Sequence, residues 1–422
     1  MQLNEINFDL AGSYANKLNL EGFKELNSLE SFETDSEEDY EMLEPWIQWP
    51  SIHTGLSAKE HGIFRLGDVV YKETESIFNI AEKLNYKVGL VSVMNLNNNF
   101  EKASFFIPDP WTNTPSGSSF WEKTITSFLK QSVNDNSSNK ITLKSYFFIL
   151  ITFLRFFDYR NLLVYLKLVL SSKGKSWRKA LFLDLLLSDA FFVLKNQNST
   201  NFSTLFLNAG AHIQHHYLFN STFNKNKNKN PDWYLNPKFD PIEEMLIIYD
   251  RIIKKALRIS FNELIIATGL SQEFDDQSNF YYRPKDHETF LSKLSINYKK
   301  VYPRMTRDFL VEFDCERDVD KAIKILKDIT FKGEKLFLPP EKRNNSLFLT
   351  FGYSKEIKKD DFLIFDSKHI SLYENLVFVA LKNGKHSPKG YLFCSKKINR
   401  LSLKGKINVK DIFKLIKDYL NQ

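Results

Sequence analysis

Cysteine is nearly missing from this chain of 422 residues: only Cys315 and Cys394 are present. Two thiols so far apart make neither a disulfide framework nor a zinc-ribbon spacing. That excludes the small cross-linked scaffolds, and two reduced core thiols are expected. Long apolar runs are missing too. The most lipid-like stretch, Tyr146 to Leu154 (YFFILITFL), is followed at once by Arg155, Asp158 and Arg160. It is too short to span a bilayer, so a buried or interfacial helix is expected there. The opening MQLNEINFDL lacks the basic and apolar regions of a secretory leader. A cytoplasmic protein without a transmembrane segment is the expectation. Charge of one sign is scarce: 58 Lys and Arg face 51 Asp and Glu, a net charge of +7. No basic block with interleaved aromatics stands out, so nucleic acid is not an expected partner.

What the chain does have is aromatic bulk, with 38 Phe, 18 Tyr and 6 Trp. A bulky core and an aromatic-lined cleft follow. The length suits one large α/β domain with insertions, or two domains. Only Met1 to Leu3 precede the polar pair Asn4–Glu5; either a first strand there is very short, or the chain starts upstream of Met1. Glu30 to Glu41 reads as an acidic loop. Thr74 is a candidate cap for a helix through Ile77, Ile80, Ala81 and Leu84. Tyr86 to Met94 reads as a buried parallel strand, and the two make a βαβ half-unit. Phe106 to Gly117 reads as a Pro-rich loop. From Ile141 to Leu194 the apolar spacing is helical. Ser203 to Leu207 and Leu264 to Ala267 read as strands, with a long helix Ile242 to Ile259 between them. Asn224 to Asn230 (NKNKNKN) is low-complexity. Further strands are expected at Arg307 to Asp314, Leu347 to Phe351 and Leu376 to Leu381, and helices at Asp318 to Leu326 and Val409 to Leu420.

Open α/β sheets place ligands at the carboxyl ends of their strands. Four polar clusters follow expected strands or lie between them: Asn4–Glu5, Glu44 to His61, Asn208 to His216, and Asn383 to His386. One shared site is therefore expected. AHIQHHY holds His212, His215 and His216, and on a helical turn His212 projects with His215 or His216 to one side. Imidazole is the commonest metal-ligating side chain near neutral pH, though the same pattern also lines clefts without metal. In HTGLSAKEHG, His53 and His61 flank a turn; Thr54–Gly55 makes it and His61–Gly62 ends the next. Trp46, Trp49, Trp111 and Arg65 suit a cationic, aromatic cleft.

Pro50-Ser-Ile-His-Thr-Gly55 followed by Lys59-Glu-His-Gly-Ile63 is similar to the P-x-W-x-S-x-x-T-G-x-x-P-x-x-H-G stretch of the alkaline-phosphatase-like superfamily. Asn208-x-x-x-His212 resembles its D-x-x-x-H metal motif, with His215 a competing match. Ile265-Ile-Ala-Thr-Gly269 falls where that superfamily has its S-D-H-G strand end. Gly384-x-His386-x-x-x-Gly390 resembles its late G-x-H-x-x-x-G. The four agree in order and span nearly the whole chain, and the phosphodiesterase and nucleotide-pyrophosphatase branch is the nearest resemblance.

The resemblance implies a three-layer α/β sandwich with a mostly parallel central sheet, an inserted helical cap and a smaller α+β insertion near the C-terminus. In segments, 1–140 is the first part of the core, 141–200 the cap, 201–300 the second part, 301–370 the α+β insertion and 371–422 the last part. It implies metal-dependent phosphoric ester hydrolysis, which the superfamily performs with two clamping metals. One metal site is partly kept, with Asn208, His212 or His215, and His386 as ligands for zinc or manganese. The second is degraded: its positions match Asn4 or Glu5, Glu44 or Pro45, Ala267 and Thr268, and Ala267 can ligate nothing. Glu44 is the candidate catalytic base or ligand, and Trp46, Trp49, His61 and Arg65 the candidate substrate contacts. The expected partner is a small phosphoester or a glycan. The alternative is an inactive relative that binds a phospho- or glycan ligand or a protein.

Overall fold

In the computed structural model the chain is described at residues 1–422 apart from 37–38, 40–41, 135–141, 226–227, 260–262, 305, 399–402 and 404. Parts of the acidic Glu30 to Glu41 segment and of the NKNKNKN stretch, and the expected helix start at Ile141, therefore lie outside the described residues. The chain divides into two compact units. Unit 1 holds the described residues of 1–133, 142–274 and 384–422; unit 2 holds those of 275–383.

Unit 1 is built on an eight-stranded sheet. Its strands are β1 (Gln2–Leu3), β2 (Glu30–Asp35), β3 (Val88–Val93), β4 (Phe105–Pro108), β5 (Phe202–Leu207), β6 (Ile265–Ala267), β7 (Lys389–Cys394) and β8 (Lys406–Asn408). The order is β8-β2-β7-β6-β1-β5-β3-β4. All neighbours run parallel except that β7 lies antiparallel to both β2 and β6. β1 sits centrally, with Leu3 opposite Leu207 and Gln2 opposite Ala267. The two-residue strand is thus held by ladders on both sides.

Alternation along these strands divides two cores. Leu205, Leu207, Phe105, Ile107 and Ile266 face one cluster with helices Phe8–Leu18, Ser176–Gln197 and Pro241–Leu257. Phe206, Ala267 and Phe106 face the other side, with helices Pro45–Thr54, Ile77–Lys83 and Asp411–Leu420. A strand buried on both faces reads as a continuous apolar run, which is why β3 and β5 stand out in the sequence. The result is the expected mostly parallel sheet between two helical layers.

Several local expectations shift. Glu30–Asp35 is a strand, because β7 pairs with it over its whole length. Phe105–Pro108 is a strand too. The helix at Ile77 starts at Ser76, not Thr74: Ser76 and Asn79 bond reciprocally as a capping box. The strand from Leu376 runs on to Ser387, so His386 is strand-borne. Of the two thiols, Cys394 is buried and Cys315 is exposed. The 141–200 segment forms helices Leu143–Phe156, Leu162–Leu170 and Ser176–Gln197, all within unit 1.

Unit 2 has its own core around a four-stranded antiparallel sheet, ordered Glu341–Arg343, Ser346–Thr350, Asp308–Glu312 and Lys300–Pro303. Phe309, Val311, Leu347 and Leu349 fill it together with Leu326 of helix Glu316–Asp328. Among the described residues, no helix is long and apolar enough to cross a membrane.

One buried polar knot fixes the helix that follows β5. The Tyr249 hydroxyl donates to Asp184 Oδ2 at 2.7 Å and accepts from the Gly210 amide at 2.9 Å. Asp184 also accepts from the Ala209 amide at 2.8 Å, and burial pushes its carboxyl up to about 6. The start of helix Ala209–Tyr217 is thereby tied to two other helices. Tyr249→Phe leaves both partners short of a bond, and a loss of about 1–3 kcal/mol is expected. Urea unfolding followed by circular dichroism measures it, and Tyr159→Phe at an exposed ring should change stability by less than about 0.5 kcal/mol.

Candidate functional site

The site forms where β1, β5 and β6 end and where the reversed β7 begins. All four bring polar residues to the same rim. Glu5 leaves β1 in the left-handed region, at φ 60°, and its carboxylate is buried. His215 comes from helix Ala209–Tyr217, and its Nε2 lies 3.0 Å from Glu5 Oε2. His386 arrives on the strand before β7, with Nε2 3.3 Å from the same oxygen. The two imidazole rings stand 5.1 Å apart, nearly perpendicular.

Glu5 is held on every side. Its amide donates to the Thr268 carbonyl, and its carbonyl accepts from the Gln272 amide and from Gln214 Nε2. Asn4 Nδ2 donates to Oε1 at 3.0 Å, and Gln272 Nε2 donates to Oε2. Burial works against the charge of Glu5. The His215 and His386 imidazoles outweigh it and hold the carboxyl well below the usual carboxylate range.

Glu5, His215 and His386 place ligand atoms within 4.8 Å of one another, and the group could hold a metal ion. Two imidazole nitrogens and one carboxylate are a donor set that binds catalytic zinc with a position left open. For bonds of about 2.0–2.1 Å, tetrahedral ligand atoms lie about 3.3 Å apart; the two imidazole nitrogens lie 3.0 and 3.3 Å from Oε2. Gln272 supplies a neighbouring amide whose buried Oε1 has no hydrogen-bond partner. The residues present fit a divalent cation.

The residues expected at the site divide into two groups. Glu44 is at the rim: its Oε2 lies 3.6 Å from His386 Nδ1. It precedes helix Pro45–Thr54 in an extended conformation. Pro50 lies inside that helix and has no N–H for the Trp46 carbonyl; Asn95 Nδ2 serves that carbonyl instead, at 2.9 Å. Asn208 meets Asn4 rather than a histidine, its Oδ1 accepting from Asn4 Nδ2 at 2.8 Å. Glu5, assigned to the degraded second site, lies instead beside His386. His212 stands with its ring 4.9 Å from His216 and outside the Glu5 group; burial, then His215, pushes it down to about 4.

Other expected contacts serve the framework. Trp49 is wholly buried, and its indole N–H donates to Asn4 Oδ1 at 2.8 Å, so its ring is not open to a ligand. His61 is buried within 3.0 Å of Ser51 Oγ, and its Nδ1 accepts from the Ile63 amide. Thr268 spends its hydroxyl on the Tyr391 amide at 2.9 Å. Trp46 donates to the Phe64 carbonyl and keeps part of its ring accessible. Arg65 is exposed. Gln272 and Gln214 were missed, since no spacing motif marks a glutamine that acts through amide contacts.

No family model and no curated protein matches this chain. Among solved structures, phosphonoacetate hydrolase from Sinorhizobium meliloti 1021, in complex with phosphonoformate, is similar over 99% of this chain and 94% of its own, at 12% identity and a TM-score of 0.42. Murine ectonucleotide pyrophosphatase/phosphodiesterase 5 is similar over 100% and 94%, at 11% identity and a TM-score of 0.42. A mutant of the alkaline phosphatase PafA is similar over 100% and 94%, at 12% identity and a TM-score of 0.43. All three are alkaline-phosphatase-like superfamily members, the group named by the ordered motifs. At this level of overlap they decide neither the fold nor the chemistry of this chain.

His53 lies beneath the site, fully buried, with Nε2 2.7 Å from Gln2 Nε2. Burial, then His61, pushes it down to about 3. A histidine depressed on folding stabilises the fold fully above its unfolded value of about 6.5, and that contribution fades as pH falls toward 3. Unfolding free energy is expected to drop by about 1.4 kcal/mol per pH unit below pH ~6 from this group alone. Urea titrations from pH 7 to ~4.5 check it: His53→Gln should flatten the slope, and an unchanged slope would remove His53 from the account.

Proposed function

We propose that this chain is a phosphodiesterase-like phosphoester hydrolase working around a single divalent cation, zinc or manganese, held by Glu5, His215 and His386. The observation that supports the reading is the convergence of that carboxylate and two imidazoles at the strand ends. When bound, such an ion supplies Lewis acidity at a phosphoryl oxygen and lowers the pKa of water. The rest is done by the chain. Asn4 and Gln272 fix the Glu5 carboxylate through their amides. Glu44, whose Oε2 lies 3.6 Å from His386 Nδ1, is placed to orient that ring so that the Nε2 lone pair is left for the cation. Its carboxylate stays about one-third accessible and takes the proton of an attacking water. That general-base route stands in for the side-chain nucleophile that Pro45 cannot be. Trp46 and Arg65 are left to meet a small phosphoester.

A second reading is a relative that binds a phospho- or glycan ligand without turnover. What favours it is the second metal position: Ala267 has no donor atom, and the Thr268 hydroxyl is occupied by Tyr391. The two-metal clamp of in-line displacement has no counterpart at those residues.

Metal analysis of purified protein separates the readings. One zinc or manganese per chain is expected, lost in Glu5→Gln, His215→Ala and His386→Ala but kept in His212→Ala. On aryl phosphates and diesters, Glu44→Gln should cut turnover by about 10²–10⁴-fold with metal content unchanged. Metal without turnover on ester and sulfate panels selects the second reading. No metal in the unaltered chain sinks the single-metal proposal.

A further inference from the structure

Two consecutive helices of unit 1 turn apolar rows to solvent. On Leu143–Phe156 the row is Leu143, Phe147, Leu150 and Leu154, spaced to share one helix face. On Leu162–Leu170 it is Leu163, Leu166 and Leu170. Leu143 is 89% exposed and Leu170 81%. The opposite sides of both helices are already in use: Phe153 packs on Tyr165, and both pack on Phe182 of helix Ser176–Gln197. The outer rows are therefore a second apolar face, larger than scattered surface leucines would make.

Charge says what covers it. The segment 142–179 carries eight Lys and Arg against a single acid, Asp158, a net charge of +7. That equals the formal charge of the whole chain, so all other residues balance to zero. Asp158 is itself bonded to Arg160 and Lys255, while Arg178 is buried against Glu244 and takes no part in the exposed charge. Lys144, Arg155 and Lys167 are exposed on these two helices, and Lys173 and Lys179 are exposed in the segment that follows. A second copy of the chain docking here face to face would bring two such cationic surfaces together, at a Coulombic cost. An apolar row flanked by Lys and Arg is the chemistry of a helix lying in the interface of an anionic bilayer.

We propose that helices Leu143–Phe156 and Leu162–Leu170 seat the protein on an anionic lipid surface, with their leucine and phenylalanine rows in the acyl boundary and their lysines at the headgroups. The proposal is independent of the chemistry at Glu5.

Sedimentation of the full chain with vesicles of phosphatidylcholine, alone or mixed with phosphatidylglycerol, tests it. Binding is expected on the mixed vesicles, weakened by salt, and weak on phosphatidylcholine alone. Leu150→Glu with Leu163→Glu and Leu170→Glu should abolish it. Lys144→Gln and Lys167→Gln should weaken it about fivefold each. All five positions are exposed, so circular dichroism should be unchanged; if the triple variant misfolds, the lysine variants still decide. No sedimentation with either vesicle overturns the proposal. So does equal, salt-indifferent binding to both, or a dimer by analytical ultracentrifugation that Leu163→Glu dissolves.

Discussion

An ionised carboxylate buried at the end of a central strand is costly unless it is surrounded by partners. Glu5 is such a group, and much of unit 1 is arranged around it. β1 is only two residues long, yet it is clasped by β5 and β6. The chain then turns through the left-handed region to present the side chain. Each element at the rim contributes one partner: a histidine from the helix after β5, a histidine before β7, an amide from Gln272 and an amide from Asn4. Gly384 shows how tight the fit is. A Cβ there would lie 2.3 Å from Gln272 Oε1 and 2.9 Å from the Gln214 carbonyl, so only glycine lets the strand carrying His386 approach.

Much of the fold was legible because double-sided burial writes itself as apolar runs. Val88–Val93, Phe202–Leu207 and Ile265–Ala267 were all found within two residues of their ends. Elements whose support is non-local were not. Glu30–Asp35 is acidic and becomes a strand through its pairing with Lys389–Cys394. Helix Pro45–Thr54 contains a proline that local rules count against a helix. It persists because Asn95, from the end of β3, replaces the missing bond at the Trp46 carbonyl.

The candidate site was legible in its parts and not in its pairing. Histidines 212, 215 and 216 fall within about 100° of one another on a helix, so spacing alone could not choose among them. The choice is made by how helix Ala209–Tyr217 sits on the sheet, which the Tyr249–Asp184 knot determines. Motif alignment set Glu5 apart from His386, whereas the reversed direction of β7 sets them side by side. Trp49 shows the reverse error. An aromatic near a site looks like a ligand contact, but here the indole supports Asn4 from behind.

That reversed strand has a consequence for how the protein is made. Glu5 leaves the ribosome far ahead of His386. Between them lies all of unit 2. Synthesis runs at roughly 5–20 residues per second, so the acid waits many seconds for its second imidazole. Until then the place of β7 between β2 and β6 is unfilled, and both strands lack the neighbour that joins them. A gap of this kind exposes unpaired strand edges that invite pairing with a foreign strand.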